Sequence, residues 1–248
     1  MTIICVTAIY DIYDNTTYVD AVWERLKSLS DIIPVHLFCS TQDSARIANL
    51  RNVTPIYTEF EDLLTYECLK DAAVLPEERS EEKDTKKYMI LMNAKPEFLY
   101  KVKQTVHADH YVWIDAGIAK IFQHPAILFN ILKTLLSQEL QKDKLFIPGC
   151  WYKGEHMEII LHCIHWRFSG GLVVVPNAFI EHFFLIVTHF NIHLQTTTRR
   201  ILWEVNIWAL VEDSLPILWA QGDHNEQMVF SLINYRQYQP LNNTLSTT

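Results

Sequence analysis

The sequence predicts an α/β fold, a single domain with a mostly parallel central sheet flanked by helices. Short runs dense in β-branched residues, such as "TIICVTAIY", "IPVHLFCS" and "GLVVVP", are apolar without alternation, as strands covered on both faces are. Stretches with helical spacing of apolar residues alternate with them, which argues for layered parallel strands joined by helices. The chain has 248 residues, 49% of them hydrophobic and 20% charged, with no repeat and no linker, so one substantial core is expected.

In order, "TIICVTAIY" reads as the first buried strand and "DIYDNTT" as the loop after it. "YVDAVWERLKSLSDI" places Val19, Val22, Trp23 and Leu26 on one helical face. "IPVHLFCS" is a second strand, "DSARIANLRN" a helix, and "VTPIYTEF" a third strand that Pro55 confines to an edge. Residues 76–88, "PEERSEEKDTKKY", form a charged stretch expected to be a solvated loop or helix start with few packing contacts. "MILMNAKPEFLYKVKQTV" is helical on both sides of Pro96, and "YVWI" is a buried strand ending at Asp115. Then follow the helix "PAILFNILKTLLSQEL", the strand "KLFIPG", the strand "FSGGLVVVP" entered through paired glycines, and the helix "NAFIEHFFLIVTHFNIHL". "TRRILWEVNIWALVEDS" reads as a helix with Trp203 and Trp208 on different faces, and "LPILWAQGDHNEQMVFSLINY" closes as strand, turn and helix. The domain is expected over residues 1–239, with 240–248 as a frayed tail.

Charge and cysteine usage narrow the function classes. A net charge of −8 leaves no basic footprint for nucleic acid, so no nucleic-acid partner is expected. The five cysteines have no C-x-x-C and no regular spacing, which suits free thiols in a reducing compartment. The opening "MTIICVTAIY" lacks a basic n-region, and "AFIEHFFLIVTHF" carries Glu181, His182 and His189 and is too short for a span. No transmembrane segment is therefore expected, and the expected location is cytoplasmic, with action at a membrane face still open.

Open α/β sheets bind ligands at the carboxyl ends of their strands. Four predicted strand ends carry polar residues: Tyr10 and Asp11, then Asp115, then Ser169-Gly170-Gly171, and finally Asp223 to Gln227. A carboxylate ending a buried strand is costly without a partner, so Asp115 suggests a metal ion or a bound ligand. Asp before Ala-Gly equally fits a helix N-cap or an Asx-turn. Asp223 and Glu226 have the spacing of a capping box ahead of Met228, Val229 and Leu232, or supply a general base at a helix start, with His224 as a further ligand or acid. Gly170 and Gly171 allow a backbone or sugar to come close, or form a bulge. Lys95 is a candidate phosphate contact, although a lone lysine is usually solvent-facing. "HCIHW" has no second cluster at ligand spacing, so its histidines read as packing residues.

Taken together and in this order, "VTAIYDI", "YMILMNAKPEFLYKV", "YVWIDAGI", "FSGGLVVVP", "WEVNIWALVE" and "DHNEQMVFSLI" resemble the HtrL/YibB family, whose members are taken to be glycosyltransferases of the GT-A type. The likeness spans most of residues 3–235, and the W-x-D-x-G and N-E-Q segments are its most specific parts. It implies a Rossmann-like GT-A fold and hexosyl or pentosyl transfer from a nucleotide-diphosphate sugar, UDP-linked by preference, to a glycan or other hydroxyl acceptor. It implies Mn²⁺ or Mg²⁺ as cofactor, with Asp115 in the place of the acidic metal motif and His224 as a second ligand. On the same resemblance Thr7, Tyr10 and Asp11 meet the nucleotide, and Asn93, Lys95 and Trp113 face the nucleotide sugar. Gly170 and Gly171 then border the donor sugar, and Glu226 and Asp223 are the candidate catalytic acids. The usual D-x-D is broken here, with Trp113 and Gly117 at the flanking positions. Two other classes compete: a metal-dependent phosphohydrolase with Asp115 as nucleophile, which Gly117 leaves without its second acid, and a non-catalytic sugar- or protein-binding module.

Overall fold

A computed structural model describes residues 1–13 and 15–237 of the chain. The expected domain boundary at 239 and the tail 240–248 lie outside the described residues. One sheet of seven strands runs through the molecule: β1 (Ile3–Ala8), β2 (Val35–Cys39), β3 (Val53–Tyr57), β4 (His110–Ile114), β5 (Leu145–Gly149), β6 (Leu172–Pro176) and β7 (Ile217–Gln221). Their order across the sheet is β3-β2-β1-β4-β6-β5-β7. All neighbours are parallel except at β6, which is antiparallel to both β4 and β5. The sheet is thus mostly parallel, as the buried apolar runs predicted, and β3 with Pro55 is indeed an edge strand.

The helices are α1 (Thr16–Ser30), α2 (Ser44–Ile47), α3 (Leu64–Leu69), α4 (Lys86–Asn93), α5 (Lys95–Thr105), α6 (Pro125–Leu136), α7 (Ile180–Thr198), α8 (Glu204–Val211), α9 (Gln227–Phe230) and α10 (Leu232–Gln237). They divide into two layers because the strand side chains alternate. Ile4, Val6, Tyr111, Trp113, Val173 and Val175 share one core with α3, α4, α5, α7 and α8. Cys5, Val112, Ile114, Leu172 and Val174 share the other with α1, α6, α9 and α10. Each Val, Leu, Ile or Phe buried in these layers contributes about 1.5–3 kcal/mol, which fixes the strand register.

Several elements differ from the sequence expectation for local reasons. The helix expected over 43–52 is one turn, 44–47, ending before Asn52, whose φ of 55° no helix accommodates. Helix α8 starts at Glu204, because Arg199 ends α7 in the left-handed conformation and Arg200 pairs as an isolated bridge with Val74. Trp203 is consequently the residue before the helix, while Trp208 is buried in the core. Pro96 splits the long helix at Ala94: it is tolerated in the first turn of α5, and its missing N–H would have broken a continuous helix. The charged stretch is tied to the body. Glu78 N–H donates to the His162 carbonyl at 2.9 Å, and buried Asp84 closes a turn with Ser80 before α4 begins.

Candidate active site

Strands β2 and β3 lie on one side of β1, and the chain then crosses to place β4 on its other side. Such a reversal opens a crevice at the carboxyl ends of the two central strands. A cleft of about 340 Å³ occupies this place. Ala8, Ile9 and Tyr10 line it from the end of β1, and Asp115 to Ile118 from the end of β4. Strand β6 runs the other way, so its entry, not its exit, arrives here. Asp115 N–H donates to the Gly171 carbonyl at 3.0 Å, and Gly170 and Gly171 join the wall. Tyr13, Tyr18, Tyr88, Trp166 and Trp203 complete an aromatic lining.

The carboxylate that ends β4 has protein partners. Asp115 Oδ1 accepts from Trp113 Nε1 at 2.6 Å and faces Lys95 Nζ at 3.1 Å, with 34% of its side chain still exposed. Lys95 itself is only 1% exposed and donates to Glu204 Oε1 at 2.8 Å and to the Gly170 carbonyl at 2.9 Å. Burial works to lower the Lys95 pKa, but the Asp115 and Glu204 carboxylates outweigh it and hold it above the usual lysine value. The ammonium therefore stays charged, as a buried cation between two acids should. Gly170 is required by this cluster: a Cβ there would collide with Glu204 Oε1 and come within 2.9 Å of Lys95 Nζ.

His224 lines the cleft with its ring edge-on to Trp166, centroids 4.0 Å apart. Its Nε2 is buried without a protein hydrogen-bond partner. Burial lowers its pKa against the opposing pull of Asp223 and Asp115, so the imidazole is neutral near pH 7. Among the described residues no three His, Cys, Asp or Glu side chains gather into a metal cage. Asp115, with a third of its side chain exposed, and the unpartnered His224 nitrogen are the donors this wall would offer a divalent ion, whose remaining ligands would have to come from phosphates and waters.

The other expected site residues are placed differently. Tyr10 is on the wall with its ring packed on Phe60 and Phe98, and its hydroxyl, held neutral by burial, donates to the Thr58 carbonyl at 3.1 Å. Thr7 is fully buried within β1 and Asp11 is exposed between two lining residues, so neither lines the cleft. Asn93 is buried behind it, donating to the Met89 and Leu202 carbonyls at 2.8 Å and accepting from Asn191.

Asp223 and Glu226 form no capping box and do not line the cleft. Asp223 Oδ1 accepts from His224 N–H at 2.6 Å, Glu226 Oε1 from Gln123 N–H at 2.6 Å, and Asn225 Oδ1 takes the Gln227 N–H. The Gln123 hydrogen bond lowers the Glu226 pKa, which makes it a tether for the segment after β4 and a poor base.

No protein family and no curated protein matches the chain by sequence. Solved structures do match in overall shape. A CMP:2-keto-3-deoxy-manno-octonic acid synthetase complexed with CTP aligns over 89% of this chain and 90% of its own, with 8% identity and a TM-score of 0.42. A glycosyltransferase involved in glycosylation of the major capsid of PBCV-1 aligns over 90% and 82%, with 9% identity and a TM-score of 0.45. The glycosyltransferase GlyE of Streptococcus pneumoniae TIGR4 aligns over 89% of this chain and 45% of its own, with 11% identity and a TM-score of 0.42.

Sequence reasoning missed the aromatic residues Tyr13, Tyr18, Tyr88 and Trp166 of the cleft wall and four of its charged residues, Glu204, Arg25, Lys83 and Lys120. Glu204 carried a weaker form of the Asp115 signal, a lone acid at the edge of a mostly apolar segment, "WEVNIWALV". The three cations carried none, because they come from α1, from the charged turn and from the 3-10 turn after Asp115, and only the fold unites them.

Proposed function

We propose that the chain is a nucleotide-sugar-dependent glycosyltransferase of the GT-A type. It would move a hexosyl or pentosyl group from a nucleotide-diphosphate donor, UDP-linked by preference, to a glycan hydroxyl. The observation that carries this reading is the cleft at the β1–β4 reversal, with a strand-end carboxylate fixed by Trp113 and Lys95 beneath an aromatic wall. The rings of Tyr13, Tyr18 and Tyr88 suit a nucleobase, and the Gly170-Gly171 entry lets a sugar approach the backbone. Asp115 and His224 would hold Mn²⁺ or Mg²⁺ against the diphosphate; when bound, the ion supplies charge compensation for the departing nucleotide. Trp113 and Lys95 orient Asp115 for that role. Asp223 and Glu226 shape the turn that carries His224. The resemblance to the HtrL/YibB family and a cytoplasmic setting belong to the same reading; no helix among the described residues is long and apolar enough to cross a membrane.

The test is a panel of UDP-, GDP-, dTDP- and CMP-sugars with and without Mn²⁺, read by thermal shift and by release of free nucleotide. A UDP-sugar should raise the unfolding midpoint and be slowly hydrolysed with the metal present. A panel in which no nucleotide sugar binds or is turned over overturns the proposal, and pyrophosphate release from a nucleoside triphosphate plus sugar would assign nucleotidyl transfer instead.

A further inference from the structure

The cleft carries more positive charge than its own acids neutralise. Arg25, Lys83 and Lys120 all line it, and none makes an ion pair with a carboxylate among the described residues. The chain has 29 acids against 21 lysines and arginines, so three unpaired cations on one wall are not explained by composition. The two acids of the wall, Asp115 and Glu204, are already engaged by Lys95. That cluster of two carboxylates and one ammonium leaves a single negative charge against the three cations, a surplus of two.

The cations feel one another across the space. Desolvation first, then Lys83 and Arg25, push the Lys120 pKa down, against the pull of Asp115. Like charges so placed are unfavourable in the free protein and become favourable when an anion sits between them. The Lys83 ammonium is also 5.5 Å from the Tyr88 ring centre, and Tyr13 donates from its hydroxyl to the Lys83 carbonyl at 2.7 Å, so the turn bearing Lys83 is fixed to the aromatic wall. A ligand with two negative charges next to an aromatic base matches both features.

We propose that Arg25, Lys83 and Lys120 form a diphosphate subsite, able to bind a nucleoside diphosphate without a divalent ion. It deepens the donor-cleft reading and rests on it only for the identity of the donor. The ion at Asp115 and His224 would then add to binding that the three cations already support.

The experiment is calorimetric titration of the full chain with inorganic pyrophosphate, UDP and uridine, in EDTA and again in Mn²⁺. Pyrophosphate and UDP should bind in EDTA, more weakly as salt rises, and uridine at least about tenfold more weakly than UDP. Arg25→Gln, Lys83→Gln and Lys120→Gln should each weaken pyrophosphate and UDP roughly tenfold, and the triple variant on the order of 100-fold or more, with uridine unchanged. The thermal midpoint of each variant checks that it is folded; should the triple variant fail to fold, the three single variants decide. UDP binding that needs the aromatic base but ignores the three cations, or that vanishes in EDTA in the native protein, overturns the subsite. Loss of pyrophosphate binding in the variants without any sugar transfer by the native protein would keep the subsite and sink the glycosyltransferase reading. Sugar transfer with variants that bind pyrophosphate normally would do the reverse.

Discussion

At the scale of single residues, the question posed by Asp115 is answered by two neighbours, one beside it in the sequence and one twenty residues away. Trp113 sits two residues back on the same face of β4, and Lys95 reaches it from the first turn of α5. Because Lys95 is buried and Glu204 is only 7% exposed, Lys95→Met leaves a carboxylate uncompensated in the interior. That loss should cost about 3–5 kcal/mol, seen as a lower urea midpoint at unchanged slope. Adding Glu204→Gln should recover part of it, because the remaining acid, Asp115, reaches solvent; a double variant no more stable than the single one would show that the Lys95–Glu204 pair is not the source. Asp115→Asn makes a different prediction. It keeps an acceptor for Trp113 and removes the carboxylate charge, so the increment in UDP affinity gained with Mn²⁺ should disappear while metal-free binding stays. An unchanged Mn²⁺ increment would remove Asp115 from the metal.

At the scale of elements, the reversed strand β6 is what completes the cleft, since its first residues meet the last residue of β4. The two glycines at its entry should therefore respond unequally. At Gly170 a methyl group meets the Glu204 carboxylate and the Lys95 ammonium, which are locked to each other. At Gly171 it meets Met228 at 3.3 Å, a flexible side chain that can give way. Gly170→Ala should destabilise by about 1–3 kcal/mol and impair UDP binding, while Gly171→Ala should be close to neutral in stability. Equal effects in thermal melts and titrations would contradict this account. The paired glycines were visible in the sequence, but which of them mattered was not, because Glu204 lies far along the chain. Strands were legible from their apolar runs, since burial on both faces leaves a mark that needs no partner. Helix limits were less so: the start of α8 was set by Arg199 and the Val74–Arg200 bridge, which no local pattern announces. The expected base, Glu226, illustrates the same limit, for its position at a strand end was legible and its hydrogen bond to Gln123 was not.

At the scale of the whole molecule, the two cores bury histidines that hold the fold to the neutral form. His110 and His165 are fully buried, each with one ring nitrogen bonded to a carbonyl, of Gln141 and Glu155 respectively, and the other without a partner. Burial lowers both pKa values despite those carbonyls, which favour the protonated ring. The sign follows from linkage. A histidine whose folded pKa lies below its unfolded value of about 6.5 stabilises fully above that value, and the contribution is lost as pH falls from there through the folded pKa. In that window the unfolded chain binds the extra proton, so stability declines with a limiting slope of roughly 1.4 kcal/mol per pH unit for each such group. The urea midpoint should therefore be flat from pH 8 to 7 and drop between pH 6.5 and 5. His165 is the sharper probe, because its backbone N–H is already fixed by Asn206 at 2.8 Å and its ring lies edge-on to Trp151. His165→Gln retains a side-chain donor for the Glu155 carbonyl and cannot titrate. That variant should start less stable at pH 7.5, from imperfect packing, and lose less on acidification than the native protein. A midpoint that falls by the same amount in both would assign the acid sensitivity to other groups, and the corresponding His110→Gln profile would then show whether the opposite core carries it.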